Sequence, residues 1–401
     1  MTAVQTPGAT PGDAHRRDIV ATFEVRMTRF LDPAGTPTQP LPAFAEDRNL
    51  MVRLYRAMVL TRTLDAKAVA LQRTGRLGTY ASSLGQEAVT VGVAASMRDD
   101  DVLLPSFREQ GAQLWRGVTP VEVLQYWGGD ERGSNFAGPR RDFPVCIPVG
   151  TQTTHAAGVA LAMKLRREPR VAVCVLGDGA TSKGDFAEGL NCAGAWSLPL
   201  VYVVNNNQWA ISVPRTRQSA AETLAQKAIA AGVPGEQVDG NDVIAVHEAV
   251  ARVVERARGG GGPGVVEAVT YRLADHTTAD DASRYRSDDE VSRAWAVEPI
   301  ARLRAYLGAQ HGWAREDETA LVAACQAEID AVAEAYLALI PEPPEAMFDH
   351  LFATLPRELA RQRDEAVALA RDASALADDA ARRAEGASPR TPGDDEEAGD
   401  A

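Results

Sequence analysis

This sequence predicts an α/β fold, a doubly wound, mainly parallel sheet flanked by helices, with a helical C-terminal region appended. Three observations carry the expectation. Short β-branched runs at Arg170–Leu176, Leu200–Val204 and Val265–Thr270 alternate with helix-length stretches, the pattern of strand–helix–strand units. The first of these runs ends in Gly177-Asp178-Gly179 and the second in Asn205-Asn206-Asn207, about one helix further on, so the two strands run parallel and finish at the same edge. Finally, 401 residues are enough to bury a large α/β domain and still append helices.

The elements follow in order. Residues 1–18 (MTAVQTPGATPGDAHRRD) are polar and proline-containing and are expected to form a disordered arm. Residues 19–46 hold an alternating stretch, Thr22–Leu31, expected as a strand, and then a proline-rich connector. The α/β domain is placed over residues 47–290. It opens on a long amphipathic helix over Asp47–Arg73, where Leu50, Leu54, Met58, Thr61 and Leu64 recur at helical spacing. Gly85–Met97 and Ala156–Leu165 are small-residue helices suited to close packing, and Val102–Leu104 is a further short strand. Gly259–Gly264 (GGGGPG) makes a turn between a helix and the strand Val265–Thr270. Residues 291–384 are expected to be nearly all helical, and residues 385–401 to form an acidic, disordered tail.

Composition narrows the function. A net charge of −13 argues against nucleic acid as a partner. No apolar stretch approaches the length of a membrane span, and no signal peptide opens the chain. Cys146, Cys174, Cys192 and Cys325 have no metal-ligand spacing, and Cys174 and Cys192 fall in core patterns, so a reducing, cytoplasmic setting is expected.

The chemistry concentrates in residues 171–212. Asp178 follows one strand, and Asn206-Asn207 follow the next, so Asp178 and an asparagine of that pair can share one ion at the carboxyl edge of the sheet. Magnesium suits such a place, because it takes hard oxygens from one or two carboxylates plus the phosphates of a ligand. Gly179 and Ala180 offer backbone amides at a helix N-terminus, where a diphosphate binds well. A nicotinamide fingerprint fits poorly, since Ser182 stands where its third glycine belongs and no acidic residue closes the second strand.

With these residues in view, the sequence resembles the alpha subunit of the decarboxylating first component of 2-oxo acid dehydrogenase complexes, most of all the alpha subunits of bacterial pyruvate dehydrogenases. The likeness runs from Phe23 to Gln362 and includes GRLGTYASSLGQEA (75–88), LPSFREQG (104–111), VGTQTTHAAGVAL (149–161), VDGNDVIAV (238–246) and YRLADHTTADDASRYRS (271–287). It implies a thiamine-diphosphate-binding fold with thiamine diphosphate and Mg2+ as cofactors. By resemblance the second metal ligand is Asn207, the register favouring it over Asn206, and the backbone carbonyl of Trp209 completes the set. Phe107-Arg108 occupies the family's Tyr-Arg position against the diphosphate, with Phe107 lacking the usual hydroxyl. Backbone groups of Ile147 and Val149 are placed against the aminopyrimidine, and His276 at the active-site mouth is implied as the catalytic histidine.

The reaction so implied is oxidative decarboxylation of pyruvate, with the acetyl group passed to the lipoyl arm of an acyltransferase component and acetyl-CoA and CO2 as products of the whole complex. The alternatives are a branched-chain 2-oxo acid (2-oxoisovalerate) or acetoin dehydrogenase. Gly85-Gln86-Glu87 favours the pyruvate type, since branched-chain relatives tend to carry Gly-Glu-Glu there. The implied partner is a beta subunit that completes the site in an α2β2 heterotetramer. Phe348, Leu351, Phe352 and Leu355 are candidates for an apolar docking surface.

Overall fold

The computed structural model describes residues 18–349 and 351–386. The expected N-terminal arm lies outside them except for Asp18, and so does the acidic tail beyond Gly386.

Eight strands are present among the described residues: β1 Met27–Thr28, β2 Val102–Leu104, β3 Ala172–Gly177, β4 Leu200–Asn206, β5 Trp209–Ala210, β6 Val213–Pro214, β7 Gly235–Asp239 and β8 Gly264–Val269. Six of them form one sheet in the order β1-β7-β8-β4-β3-β2, and every neighbouring pair is parallel. The remaining two, β5 and β6, make a small antiparallel hairpin. The expected doubly wound parallel sheet is therefore what the chain builds.

Helices cover both faces, which is why the strands read as continuous apolar runs. Side chains alternate across β3 and β4. Ala172, Cys174, Leu176, Tyr202 and Val204 pack on the helices Thr151–Arg166 and Gly184–Ala195. On the opposite face, Val173, Val175, Val201 and Val203 pack on the helices Glu87–Ala95 and Val243–Arg258.

Two sequence expectations need correcting. Thr22–Leu31 is not one strand, because only Met27 and Thr28 pair with Gln237 and Val238. Beyond them the Phe30 and Leu31 amides leave the ladder and donate to Asp242 Oδ2, at 2.8 and 2.7 Å. Strand β7 (GEQVD) was not expected. It is a partly polar segment without a β-branched run, and Gln237 is accommodated by donating to Glu267 Oε2 at 3.1 Å.

The compact α/β unit extends to Ala338, whereas the sequence placed its end at residue 290. The helices Pro299–His311 and Arg315–Leu337 belong to it because Leu303, Tyr306, Leu307, Ile329 and Ala333 share a core with Met51, Leu54, Met58 and Leu64. The long helix carrying the latter set spans Arg48–Arg73 and is capped by Asp47, whose carboxylate accepts from the Asn49 and Leu50 amides. A second unit from Leu339 holds a short 3-10 turn, Pro344–Phe348, and the helix Arg357–Gly386.

Candidate active site

Parallel strands finish at the same edge, and four of them deliver the candidate residues there. The exit of β2 carries Ser106–Glu109, that of β3 carries Asp178–Ala180, β4 ends in its asparagines and runs on to Trp209, and the exit of β8 leads to His276. Together they line a cavity of about 820 Å3, its open mouth included.

Asp178 is buried, and its Oδ2 has no hydrogen-bond partner. Burial raises its pKa from 3.8 to about 6, opposed by the Gly179 amide and by the charges of Arg272 and Arg108. Beside it, Asn205 also lines the cavity with an unpartnered, buried Oδ1. Strand alternation decides the asparagine register. Asn205 and Asn207 face the cavity, whereas the Asn206 side chain lines no part of it and donates from Nδ2 to Glu267 Oε1 at 2.7 Å. Asn207 donates from Nδ2 to Gln86 Oε1 at 2.9 Å and accepts at Oδ1 from the Trp209 amide at 3.2 Å.

Gly179 and Ala180 form the floor. A Cβ at Gly179 would stand 2.9 Å from the Ala210 Cβ, so this position has no room for a side chain. Trp209 lines the wall, and its carbonyl accepts from Arg272 Nη1 at 3.2 Å, with one lone pair left over. Its indole Nε1 donates to Glu290 Oε1 at 3.1 Å.

Arg108 is 5% exposed, and its fork is turned toward the loop after β8. Nη1 donates to the Ser82 carbonyl at 2.6 Å, and Nη2 donates to the His276 carbonyl at 2.7 Å and faces His276 Nδ1 at 3.0 Å. Burial, then the neighbouring Arg272, lowers the Arg108 pKa to about 10, which leaves it charged. Ser82 is held in turn by the buried carboxylate of Asp65, at 2.7 Å. The Phe107 ring meets His276 edge-on, with centroids 6.1 Å apart.

His276 itself is half-buried. Burial first, then Arg108 and Arg272, lowers its pKa to about 4, so the imidazole is neutral at physiological pH. A guanidinium can only donate, so Nδ1 is the acceptor and the ring proton sits on Nε2. The surrounding loop is stitched by Arg272, which reaches the Ile211 carbonyl at 2.8 Å and the Tyr285 hydroxyl at 2.9 Å, and by Asp280, which accepts from the His276 amide at 2.9 Å.

Val149 lines the cavity, but Ile147 does not; Cys146 does instead. Residues that sequence reasoning missed also face it: Asn205, Gln152, Gln218 and Glu109. Gln152 and Gln218 present buried, unpartnered Oε1 atoms, and no local motif marks either residue.

The donor set fits a metal–diphosphate group. Several unpartnered oxygens surround one carboxylate, and two arginines lie within reach of it. Among the described residues no three His, Cys, Asp or Glu side chains cluster to hold a metal. A cation at Asp178 would therefore draw its other ligands from amides, carbonyls and the bound group.

The fold and site thus define a parallel α/β protein with a cleft at the carboxyl edge of its sheet, lined by groups that suit a metal–diphosphate ligand. Comparison with known proteins gives the particular family. Residues 55–343 match the model for the dehydrogenase E1 component, and the chain belongs to that family. Over 355 residues it is 42% identical to the 3-methyl-2-oxobutanoate dehydrogenase subunit alpha of Mycobacterium tuberculosis (strain CDC 1551 / Oshkosh), covering 87% of this chain and 95% of the relative. It is 41% identical over 322 residues to a pyruvate dehydrogenase E1 component subunit alpha of Acholeplasma laidlawii, covering 79% and 93%. The corresponding subunit of Mycoplasma pneumoniae (strain ATCC 29342 / M129 / Subtype 1) is 37% identical over 346 residues, covering 86% and 97%.

Proposed function

We propose that this chain is the alpha subunit of a thiamine-diphosphate- and Mg2+-dependent 2-oxo acid dehydrogenase, with pyruvate as substrate and an acyltransferase's lipoyl group as acceptor. The observation that carries the reading is the buried carboxylate of Asp178, one oxygen unpartnered, among the inward-facing Asn205 and Asn207 and within the field of Arg108 and Arg272. Asp178, Asn207 and the Trp209 carbonyl would hold the metal, and Gly179, Ala180 and Arg108 the diphosphate. When bound, thiamine diphosphate would supply a nucleophilic carbon and an electron sink for decarboxylation.

The chain's own residues orient and shield. Neutral His276, its proton fixed on Nε2 by Arg108, offers a hydrogen-bond donor to the oxygens of the 2-oxo acid. The apolar edge of Phe107 dries that end of the cavity. A second reading, with a branched-chain 2-oxo acid as substrate, is favoured by the Mycobacterium tuberculosis relative named for 3-methyl-2-oxobutanoate.

The site is completed by a beta subunit in an α2β2 assembly. Ile147, Val149, Ile211 and Val213 are 43–55% exposed, and two of them line the cavity, which leaves an apolar rim of the kind that marks a protein interface. In the second unit Leu351 and Phe352 are exposed as well. The test is reconstitution. The chain alone, saturated with thiamine diphosphate and Mg2+, should decarboxylate neither pyruvate nor 3-methyl-2-oxobutanoate. Adding its cognate beta chain should produce a particle of about four subunits that acts on one of the two acids, and which one decides between the readings. Turnover by the isolated chain would contradict the shared site.

A further inference from the structure

We propose that Gln86 is a positioning residue whose amide fixes that of Asn207, so that the Asn207 oxygen, not its nitrogen, is presented to the metal. The inference rests on the metal reading above and deepens it. An asparagine amide has two nearly isosteric ends, and a hard cation accepts only the oxygen. The network around Asn207 admits one assignment. The Trp209 amide can only donate, so the atom it faces at 3.2 Å is Oδ1. The other end is then the NH2 group, which needs an acceptor, and Gln86 Oε1 supplies it at 2.9 Å. A reversed Gln86 would set NH2 against NH2.

Gln86 is itself held. It is fully buried at the start of the helix Glu87–Ala95, and its amide donates to the Ser83 carbonyl at 2.8 Å. The preceding Gly85 has φ +89°, and a Cβ there would stand 2.4 Å from the Tyr271 carbonyl oxygen. The Thr270 hydroxyl donates to the Gly85 carbonyl at 2.7 Å. Gln86 therefore joins the β8 exit to the β4 exit with a fixed side chain. Its own Nε2 is left buried, unpartnered and at the cavity wall.

The experiment titrates Mn2+, as a spectroscopic stand-in for Mg2+, into the full-length chain reconstituted with its cognate beta chain, with thiamine diphosphate present, followed by electron paramagnetic resonance. Gln86→Met keeps the bulk and removes the acceptor, and should raise the Mn2+ Kd by about 10- to 100-fold, the usual cost of losing a partner that orients a metal ligand. Gln86→Glu keeps an acceptor and should stay within about threefold of the unmodified chain. In an Asn207→Ala background, Gln86→Met should add no further loss, because its effect passes through Asn207. An unchanged Kd for Gln86→Met, or the same loss in both backgrounds, overturns the proposal. Should Gln86→Met fail to fold, a loss of tenfold or more in folded Gln86→Glu overturns it equally. Asp178→Ala separates the two levels. A normal Kd in that variant removes the metal reading and this inference with it, whereas a lost Kd beside a normal Gln86→Met removes the positioning role alone.

Discussion

Replacing Asp178 by Asn should make the ligand-free chain more stable and the ligand-loaded chain less so. Burial lifts the Asp178 pKa from 3.8 to about 6. The unfolded chain thus gives up this proton near pH 3.8 and the native chain only near pH 6. At lower pH the carboxyl is protonated in both states and costs nothing extra. As pH rises through this window the native state binds more protons than the unfolded one, so stability falls. With each pKa unit equal to 1.36 kcal/mol, the ionised group costs the bare fold about 3 kcal/mol at neutral pH. Asn keeps a carbonyl oxygen for the Gly179 amide and carries no charge. Urea unfolding of the full chain between about pH 4 and pH 8 should therefore show the two proteins equal at the acid end, with the variant ahead by up to about 3 kcal/mol at the alkaline end. Thiamine diphosphate with Mg2+ should reverse the order. Ligand at about 1,000 times its Kd stabilises the native chain by about 4.1 kcal/mol, more than the charge costs the bare fold, and the variant should gain nothing. A variant that is less stable than the unmodified chain when bare at pH 8, or that gains as much from the ligands, would refute this reasoning.

The remaining predictions concern the His276 end. His276→Ala should leave the thiamine diphosphate Kd within about threefold while lowering kcat of the reconstituted assembly by about 100-fold or more, the scale of a lost proton-handling group; a defect in the Kd alone would place the ring in the cofactor's binding contacts. Phe107→Tyr should tighten thiamine diphosphate binding by about 1 kcal/mol, one added hydrogen bond, measured by calorimetry, and an unchanged Kd would show that the hydroxyl does not reach the diphosphate.

Much of the fold is legible in the sequence because each face of β3 and β4 meets its own helices, so both strands read as unbroken apolar runs. The exits of these strands are equally legible, since Asp178 and the asparagines sit directly on them. Strand β7 is hidden because Glu236 and Gln237 are polar and are accommodated by tertiary partners, Arg252 and Glu267, that no local window contains. The boundary at residue 290 fails for a related reason. The expectation of helix over residues 291–384 takes in the helices Pro299–His311 and Arg315–Leu337, but not that their apolar faces complete the core begun by Met51 and Leu54. Within the site, spacing alone leaves open which asparagine faces the cavity. Alternation along β4 determines that, and it needs the strand to run through Asn206 rather than stop at Val204. Gln152 and Gln218 come from a helix and a short turn whose own sequences announce only helix.

The electrostatics of the cavity add an argument that no single residue makes. Asp178 is a buried carboxylate with an unpartnered oxygen, and burial keeps its pKa raised although Arg272 and Arg108 pull it down. Arg108 and Arg272 are buried guanidiniums whose pKa values are lowered first by burial, with each further lowered by a neighbouring arginine. His276 adds no charge to either side, since burial first and then the two arginines hold it neutral. A lone cation would satisfy Asp178 but worsen the field at the arginines, and a lone anion would do the reverse. A group that brings both charges, as a divalent metal on a diphosphate does, would relieve both burial penalties together. Under the proposed function each half of that group would remove the penalty the other half incurs, so metal and diphosphate should bind here with positive coupling.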